Sequence, residues 1–258
     1  MKNTALPRLK TLVAVTALCL AAEAGAVTLT VTNSADTGIG TGTLRDMLLQ
    51  IAGDTSCTGA PYVVTFNIAT PPTGPILIQP GSALPAIGCQ TEIDGYSQPG
   101  TAPNSNFTLD GSNAVIRVVI DGTGSGGANY GLNLSGPNSV VRGLSIVNFA
   151  AGSGILATGS NSEILGNFIG VRPDGSAAGN LAGVDFNFSN GRAGSAPPGN
   201  RNVVSANLGQ GIKLGFGGFA ENNLVGVGPD GTSNRGIGTF GITANLEGGT
   251  ITGNRIAF

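Results

Sequence analysis

A short segment that opens on glycine and alternates apolar residues recurs along the second half of this chain, and no other feature restricts its fold so strongly. It appears as Gly131-Leu-Asn-Leu134, Gly154-Ile-Leu-Ala157, Gly183-Val-Asp-Phe186, Gly211-Ile-Lys-Leu214 and Gly241-Ile-Thr-Ala244, the leading glycines recurring at intervals of 23, 29, 28 and 30. A second apolar run follows each: Val140 to Val147, Ile164-Leu165 with Phe168-Ile169, Val203-Val204, Leu224-Val225, and Ile251 with Ile256. Asn167-Phe-Ile-Gly-Val-Arg-Pro-Asp-Gly175 also aligns without gaps on Asn223-Leu-Val-Gly-Val-Gly-Pro-Asp-Gly231, with six of nine positions identical at an offset of 56. That offset spans two units.

Strands this short cannot bury a face alone, and no helical periodicity runs through the region. Two or three strands per unit, bounded by Gly, Asn and Pro-Asp-Gly turns, fit one coil of a β-solenoid. Stacking coils about 4.8 Å apart makes a continuous core of Ile, Val, Leu and Phe ladders. Asn148, Asn167, Asn223 and Asn254 each sit beside an apolar strand and are expected to form a ladder of side-chain amides bonded from coil to coil. Asp174-Gly175 and Asp230-Gly231 each follow a proline, so a turn is the first reading and a calcium ligand the second.

Composition narrows the chemistry. Glycine and proline supply 44 and 14 of the 258 residues, high for a globular domain, but no Gly-x-y period points to collagen. A mean hydropathy of +0.22 argues against disorder. There is no histidine, which removes imidazole acid–base catalysis, the Ser-His-Asp arrangement and His-ligated zinc.

The segment 1–26 reads as a secretory signal peptide. Lys2, Arg8 and Lys10 precede the apolar run Thr11 to Ala22, and Ala24-Gly25-Ala26 supplies small residues for cleavage before Val27. The apolar run is too short for a membrane span. A lipoprotein reading through Cys19 is disfavoured by Leu18, where a small residue is wanted. Without this segment the chain keeps 9 basic and 13 acidic groups, a net charge of −4 with no basic cluster, so a nucleic-acid partner has no electrostatic footprint. Cys57 and Cys89 remain; in an oxidising compartment they form one disulfide, the alternative being two buried thiols.

Residues 27–90 read as an N-terminal cap. Val27 to Thr32 alternates like a strand, and Gly42 to Ala52 puts Leu44, Met47, Leu48 and Ile51 on one helical face, with Thr43 or Thr41 as N-cap and Gly53 as the stop. Residues 91–258 read as the coils. Gly253-Asn-Arg-Ile-Ala-Phe258 has the pattern of a strand in mid-repeat with no capping segment after it, so the coils are expected to continue in a longer protein, the alternative being that the open end meets a partner.

Three stretches carry a resemblance: Val63-Val-Thr-Phe-Asn-Ile68, Ile78-Gln-Pro80 with Ala83-Leu-Pro-Ala-Ile87, and Glu92-Ile-Asp-Gly-Tyr-Ser-Gln-Pro-Gly100. They look like the opening of secreted bacterial right-handed parallel β-helix repeat proteins with the pectin-lyase-like fold. Val141-Arg-Gly-Leu-Ser-Ile146 and Ile164-Leu-Gly-Asn-Phe-Ile-Gly170 look like that family's coils, and Gly42-Thr-Leu-Arg-Asp-Met47 is similar to its capping helix. The resemblance covers residues 27–258. It implies an all-β, right-handed parallel β-helix with a short N-terminal helix, secreted or displayed on the cell surface, adhesin-like. Its motifs specify fold rather than activity.

Two functions follow. In the first, the chain is a non-catalytic scaffold for adhesion or contact with a polysaccharide or a host or cell-surface glycan, without a cofactor. In the second, it is a polysaccharide lyase or hydrolase. Asp94 and Asp121 each sit in an Ile-Asp-Gly triplet, at an offset of 27 that is close to one coil. Stacked on neighbouring strands, the two carboxylates would share a proton or hold calcium. Arg117 or Arg142, expected on adjacent strands, would be the base that pectate-lyase-like cleavage uses. Against this, each aspartate can simply end its strand with an Asx-type bond into the following turn. Few aromatic residues (10 Phe, 3 Tyr) are available to grip a sugar face. Ice binding is not supported, because no outward Thr-x-Thr rung repeats at coil spacing. The non-catalytic reading is preferred.

Overall fold

The structure is a computed structural model that describes residues 25–58, 60–69, 74–127, 130–187, 190–244 and 248–257. The expected signal segment, 1–26, lies outside them apart from Gly25 and Ala26, and the first strand begins at Val27.

The chain is mostly β, and its strands form three sheets in which every neighbouring pair is parallel. The first sheet runs β1 (Val27–Val31), β2 (Tyr62–Phe66), β4 (Thr91–Asp94), β7 (Val140–Arg142), β10 (Glu163–Leu165), β13 (Arg192–Ala193), β16 (Phe219–Glu221) and β19 (Thr250–Thr252). The second runs β3 (Ile76–Ile78), β5 (Val118–Asp121), β8 (Leu144–Val147), β11 (Phe168–Ile169), β14 (Val203–Val204), β17 (Leu224–Val225) and β20 (Arg255–Ile256). The third runs β6 (Tyr130–Leu134), β9 (Ser153–Ala157), β12 (Ala182–Phe186), β15 (Gln210–Leu214) and β18 (Phe240–Ala244). From β4 onward the chain visits the first, second and third sheets in turn, so each strand pairs with the one three places along. This order is compatible with a parallel β-solenoid, and each round of three strands is one circuit.

The five glycine-led segments of the sequence are the five strands of the third sheet. Close approach requires glycine at the first four: a Cβ on Gly183 would lie 2.3 Å from the Gly211 carbonyl oxygen, and one on Gly211 would lie 2.4 Å from that of Gly241. The core is three ladders, one per sheet. Val64, Ile93, Val141, Ile164, Ala193 and Ala220 face inward in register from the first sheet. Ile78, Ile120, Ile146, Ile169, Val204 and Val225 do so from the second, and Leu132, Ile155, Val184 and Ile212 from the third. All of them are buried. Full burial of a Val, Leu or Ile side chain is worth about 1.5–3 kcal/mol, so the ladders are the main cohesive force between circuits.

A second kind of ladder is polar. At the corner between the first and second sheets, Asn167 donates its side-chain amide to Asn202 Oδ1 (3.3 Å), Asn202 to Asn223 Oδ1 (2.9 Å), and Asn223 to Asn254 Oδ1 (2.8 Å). Asn202 Oδ1 also accepts the backbone N–H of Asn167, and Asn254 Oδ1 that of Asn223. Each Nδ2 donates in addition to a carbonyl one circuit back: Val141, Ile164, Ala193 and Ala220 in turn. Asn148, expected in this ladder, is not part of it; it follows β8 at the opposite corner with φ +63° and bonds to Asp121. Asn202, absent from that expectation, takes a central rung.

The outer face of the first sheet carries charges of alternating sign. Arg142 pairs with Asp94 (3.4 Å) and Glu92 (3.7 Å) of the circuit before it, and Arg192 pairs with Glu163 (3.6 Å) and Glu221 (3.4 Å) on either side.

The helix α1 (Leu44–Gly53) buries Leu44, Met47, Leu48 and Ile51. Thr43 is its N-cap, accepting from the Asp46 N–H, and Asp54 rather than Gly53 is its C-cap. A disulfide joins Cys57 to Cys89. Among the described residues no helix is long and apolar enough to cross a membrane.

Candidate functional site: an open groove between the second and third sheets

The corner joining the second sheet to the third is built from loops of unequal length, among them 148–152 after β8, 170–181 after β11, 205–209 after β14 and 226–239 after β17, with 122–127 following β5. Two hollows open along it. One, about 540 Å³, has a floor of Gly122, Gly127, Ala150, Ala151 and Gly179, with Thr123, Ser125 and Asn148 as its polar side chains. The other, about 440 Å³, shares Ala151 and continues past Gly152, Ala182 and Gly209, with Tyr130, Ser153, Asp185, Gln210 and Thr239 at its sides. Together they form a furrow running along the stacking direction from the β5 circuit to the β17 circuit.

Asp121 lies beneath the first hollow and is 3 % exposed. Its Oδ1 accepts from the Thr123 N–H (3.0 Å), the Thr123 hydroxyl (2.6 Å) and the Asn148 amide (2.8 Å). Its Oδ2 accepts both terminal nitrogens of Arg172, at 3.2 Å each. Burial alone would raise its pKa, but the Thr123, Asn148 and Arg172 contacts outweigh burial and hold the carboxyl below its ordinary value. Such a group is a saturated acceptor with no proton to give near neutrality. It caps the 3-10 turn Gly122–Gly124 and fixes the rim of the groove.

Asp185, in the lining of the second hollow, is ion-paired to Lys213 on the adjacent strand β15, with Nζ 3.1 Å from Oδ1. Lys213 also donates to Asn187 Oδ1 (3.0 Å), and Thr243 lies 2.9 Å from Gln210 Oε1, to which its hydroxyl donates. Arg172 and Lys213, the cations that reach the groove's carboxylates, are thereby neutralised.

The aspartate pair expected on neighbouring strands is not formed. Asp94 ends β4 in the first sheet, flanked in register by Thr65 and Arg142; Asp121 ends β5 in the second, flanked by Val147. Asp94 accepts the Tyr96 N–H at 3.0 Å and caps its own turn, as Asp121 does. Arg142 does reach Asp94, and its guanidinium lies 5.6 Å from the Tyr96 ring centroid. Arg117 is elsewhere. It precedes β5, in a different sheet from Arg142 rather than on an adjacent strand, and donates to the Gly74 carbonyl (3.2 Å). The four residues thus divide into an Asp94–Arg142 pair on one face and Asp121 and Arg117 at opposite ends of β5. With the carboxylates apart, the two-aspartate calcium site has no basis, and among the described residues no group of three or more Asp, Glu or Cys side chains is placed to hold a metal ion. Of the partners of Asp121, Asn148 lies 27 residues on, about one coil, and so was within reach of the spacing, whereas Arg172, 51 residues on, carried no such signal.

No protein-family model matches the chain, and no curated protein matches it.

Proposed function

We propose that this chain is a non-catalytic, secreted or cell-surface scaffold of the right-handed parallel β-helix, pectin-lyase-like kind, and that it contacts an uncharged glycan strand along the groove between the second and third sheets. The observation that carries this reading is the state of Asp121: this buried carboxylate of the groove is consumed by five hydrogen bonds to Thr123, Asn148 and Arg172. What faces solvent is mostly neutral donors and acceptors above a small-residue floor, with the ion-paired Asp185 as the charged group of the lining; the circuits are spaced about 4.8 Å apart, near the length of one pyranose unit. Right-handedness is supported by the strong preference of parallel crossovers for that hand. Secretion is supported by the leader-like segment 1–26 and by the disulfide.

Affinity electrophoresis through gels containing a neutral glucan or polygalacturonate tests the reading. Retention by the neutral polymer is expected, lost on Ala182→Trp, which fills the groove, with no unsaturated product released from either polymer. Calcium-dependent release of unsaturated product that disappears in Asp121→Asn overturns the non-catalytic reading. Absence of retention on any polysaccharide overturns the glycan reading.

A further inference from the structure

In a stack of circuits each layer touches only its neighbours, so stability is a sum of local terms and the two ends are free to melt separately. Single ties skip one circuit at Arg172 to Asp121 and at Arg235 to the Gly175 carbonyl, and one segment of this chain departs from that rule over a much longer span. The connection from β4 to β5 spans residues 95–117, and most of it leaves the stack. Ala102 and Val115 pair with each other through both backbone bonds (3.0 and 2.8 Å), closing the base of a compact loop, an Ω-like arrangement. Within it the buried Asn104 is the organiser: its Oδ1 accepts the N–H groups of Asn106 and Asn113, and its Nδ2 donates to the Asn106 carbonyl.

This loop lies lengthwise on the outer face of the second sheet. Ile116, Leu109 and Ala114 cover Phe168, Val203 and Leu224, which belong to three successive circuits. Its polar ties reach further. Asn104 donates to the Pro198 carbonyl (2.9 Å), Ser112 N–H to the Pro229 carbonyl (2.6 Å), and Arg255 in β20 to the Leu109 carbonyl (3.4 Å), a contact between residues 146 positions apart in sequence. The loop therefore joins the β4–β5 circuit to the β19–β20 circuit, five circuits on.

Arg201 holds the middle. It is 1 % exposed, and among the described residues it makes no ion pair. Its guanidinium instead donates to the carbonyls of Thr108 (2.6 Å), Gly111 (2.8 Å) and Phe107 (3.4 Å), and to Asn222 Oδ1 (2.9 Å). Burial pushes its pKa down, with the charge of Asp110 opposing. A buried cation without a counter-ion is costly unless its donors are satisfied, and three of the four acceptors come from the loop. Loop and arginine each depend on the other.

We propose that residues 99–117 are a longitudinal brace that makes distant circuits unfold as one unit, with Arg201 as its latch. The brace adds to nearest-neighbour coupling a direct tie between the two halves of the stack.

Native-state hydrogen exchange on the full chain tests this. In the unaltered protein, core amides of β5 and β8 and those of β17 and β20 should exchange with a common opening free energy. In Arg201→Ala, exchange in β16, β17, β19 and β20 should speed by about tenfold or more relative to β5 and β8. A few millimolar guanidinium ion, occupying the vacated carbonyl cage, should restore the common rate. Asn104→Ala, which loosens the loop without uncovering a charge, should separate the two halves in the same direction and serves if Arg201→Ala does not fold. Equal acceleration everywhere in both variants, or no separation in either, overturns the brace; so does separate exchange of the two halves in the unaltered protein.

Discussion

The two corners that flank the second sheet solve the same geometric problem in opposite ways. Where the first sheet turns into the second, a positive-φ residue follows each strand from β7 to β19 (Gly143, Gly166, Gly194, Asn222 and Gly253), and although the connections at 95–117 and 194–202 are longer than the others, four asparagines repeat one bonding pattern from circuit to circuit. Where the second sheet turns into the third, the loops are short at 148–152 and 205–209 and long at 170–181 and 226–239, and an ionised aspartate is bonded within its own loops. The first corner sets the register of the stack. The second is released from that duty and carries the groove. Its asparagine column, among the described residues, is a single rung from Asn180 to Asn207 (3.1 Å).

This division makes the consequences of mutation unequal. The largest expected effect is Asn202→Ala. It removes four hydrogen bonds at a fully buried site and strands the Asn167 backbone N–H and Asn223 Oδ1; at about 1–3 kcal/mol for each buried group left unpaired, a loss of roughly 3 kcal/mol or more is expected in a urea titration. Asn148→Ala at the other corner should cost less, about 1–2 kcal/mol, from its lost bond to Asp121 and a positive φ that alanine resists. Equal losses would erase the distinction between the corners.

Acid should separate the corners more finely. Amides do not titrate, whereas Asp121 has a depressed pKa and Asp230 is held at about 2 by its bonds to Ser233 and Thr232. A depressed carboxyl contributes stability above its unfolded pKa of about 4, and that contribution disappears as pH falls through the folded value. Between about pH 4 and pH 2, then, the loops around residues 121–127 and 228–233 should become protease-sensitive while the ladder amides of Asn167, Asn202 and Asn223 keep their exchange protection. Simultaneous loss of both would count against a pH-inert first corner. The smallest effect is expected for Gln210→Ala on the groove wall: thermal stability within about 0.5 kcal/mol of the parent, with weaker retention on neutral glucan.

Much of the fold was legible because its signals are local and periodic. Glycine-led segments mark the third sheet, since a side chain there would strike the next circuit; the Leu44, Met47, Leu48 and Ile51 spacing marks α1; the two cysteines outside the leader-like segment mark the disulfide. Asn202 was also legible in principle: it precedes an apolar pair, Val203-Val204, just as Asn167 precedes Phe168-Ile169 and Asn223 precedes Leu224-Val225. Asn148 has the opposite placement, after its strand. The aspartate pair misled for a physical reason. Asp94 and Asp121 stand on consecutive strands, a third of a circuit apart, but the brace inserted between them lengthens that step until it passes for a full circuit. The in-register successor of Asp94 is Arg142, well beyond Asp121 in sequence. An insertion folded back onto distant layers leaves no periodic trace, and for the same reason Arg201 could not be singled out.

The alternating charges on the first sheet have a consequence for how such a stack can be lengthened or shortened. Acidic, basic, acidic, basic and acidic circuits succeed one another from β4 to β16. Excising the layer that holds Glu163 would bring Arg142 and Arg192 onto adjoining strands as diagonal neighbours of like charge, whereas excising two consecutive layers keeps opposite signs side by side. Parity is thereby imposed on editing of the stack, and it agrees with the offset of 56, two units, between its two most alike segments.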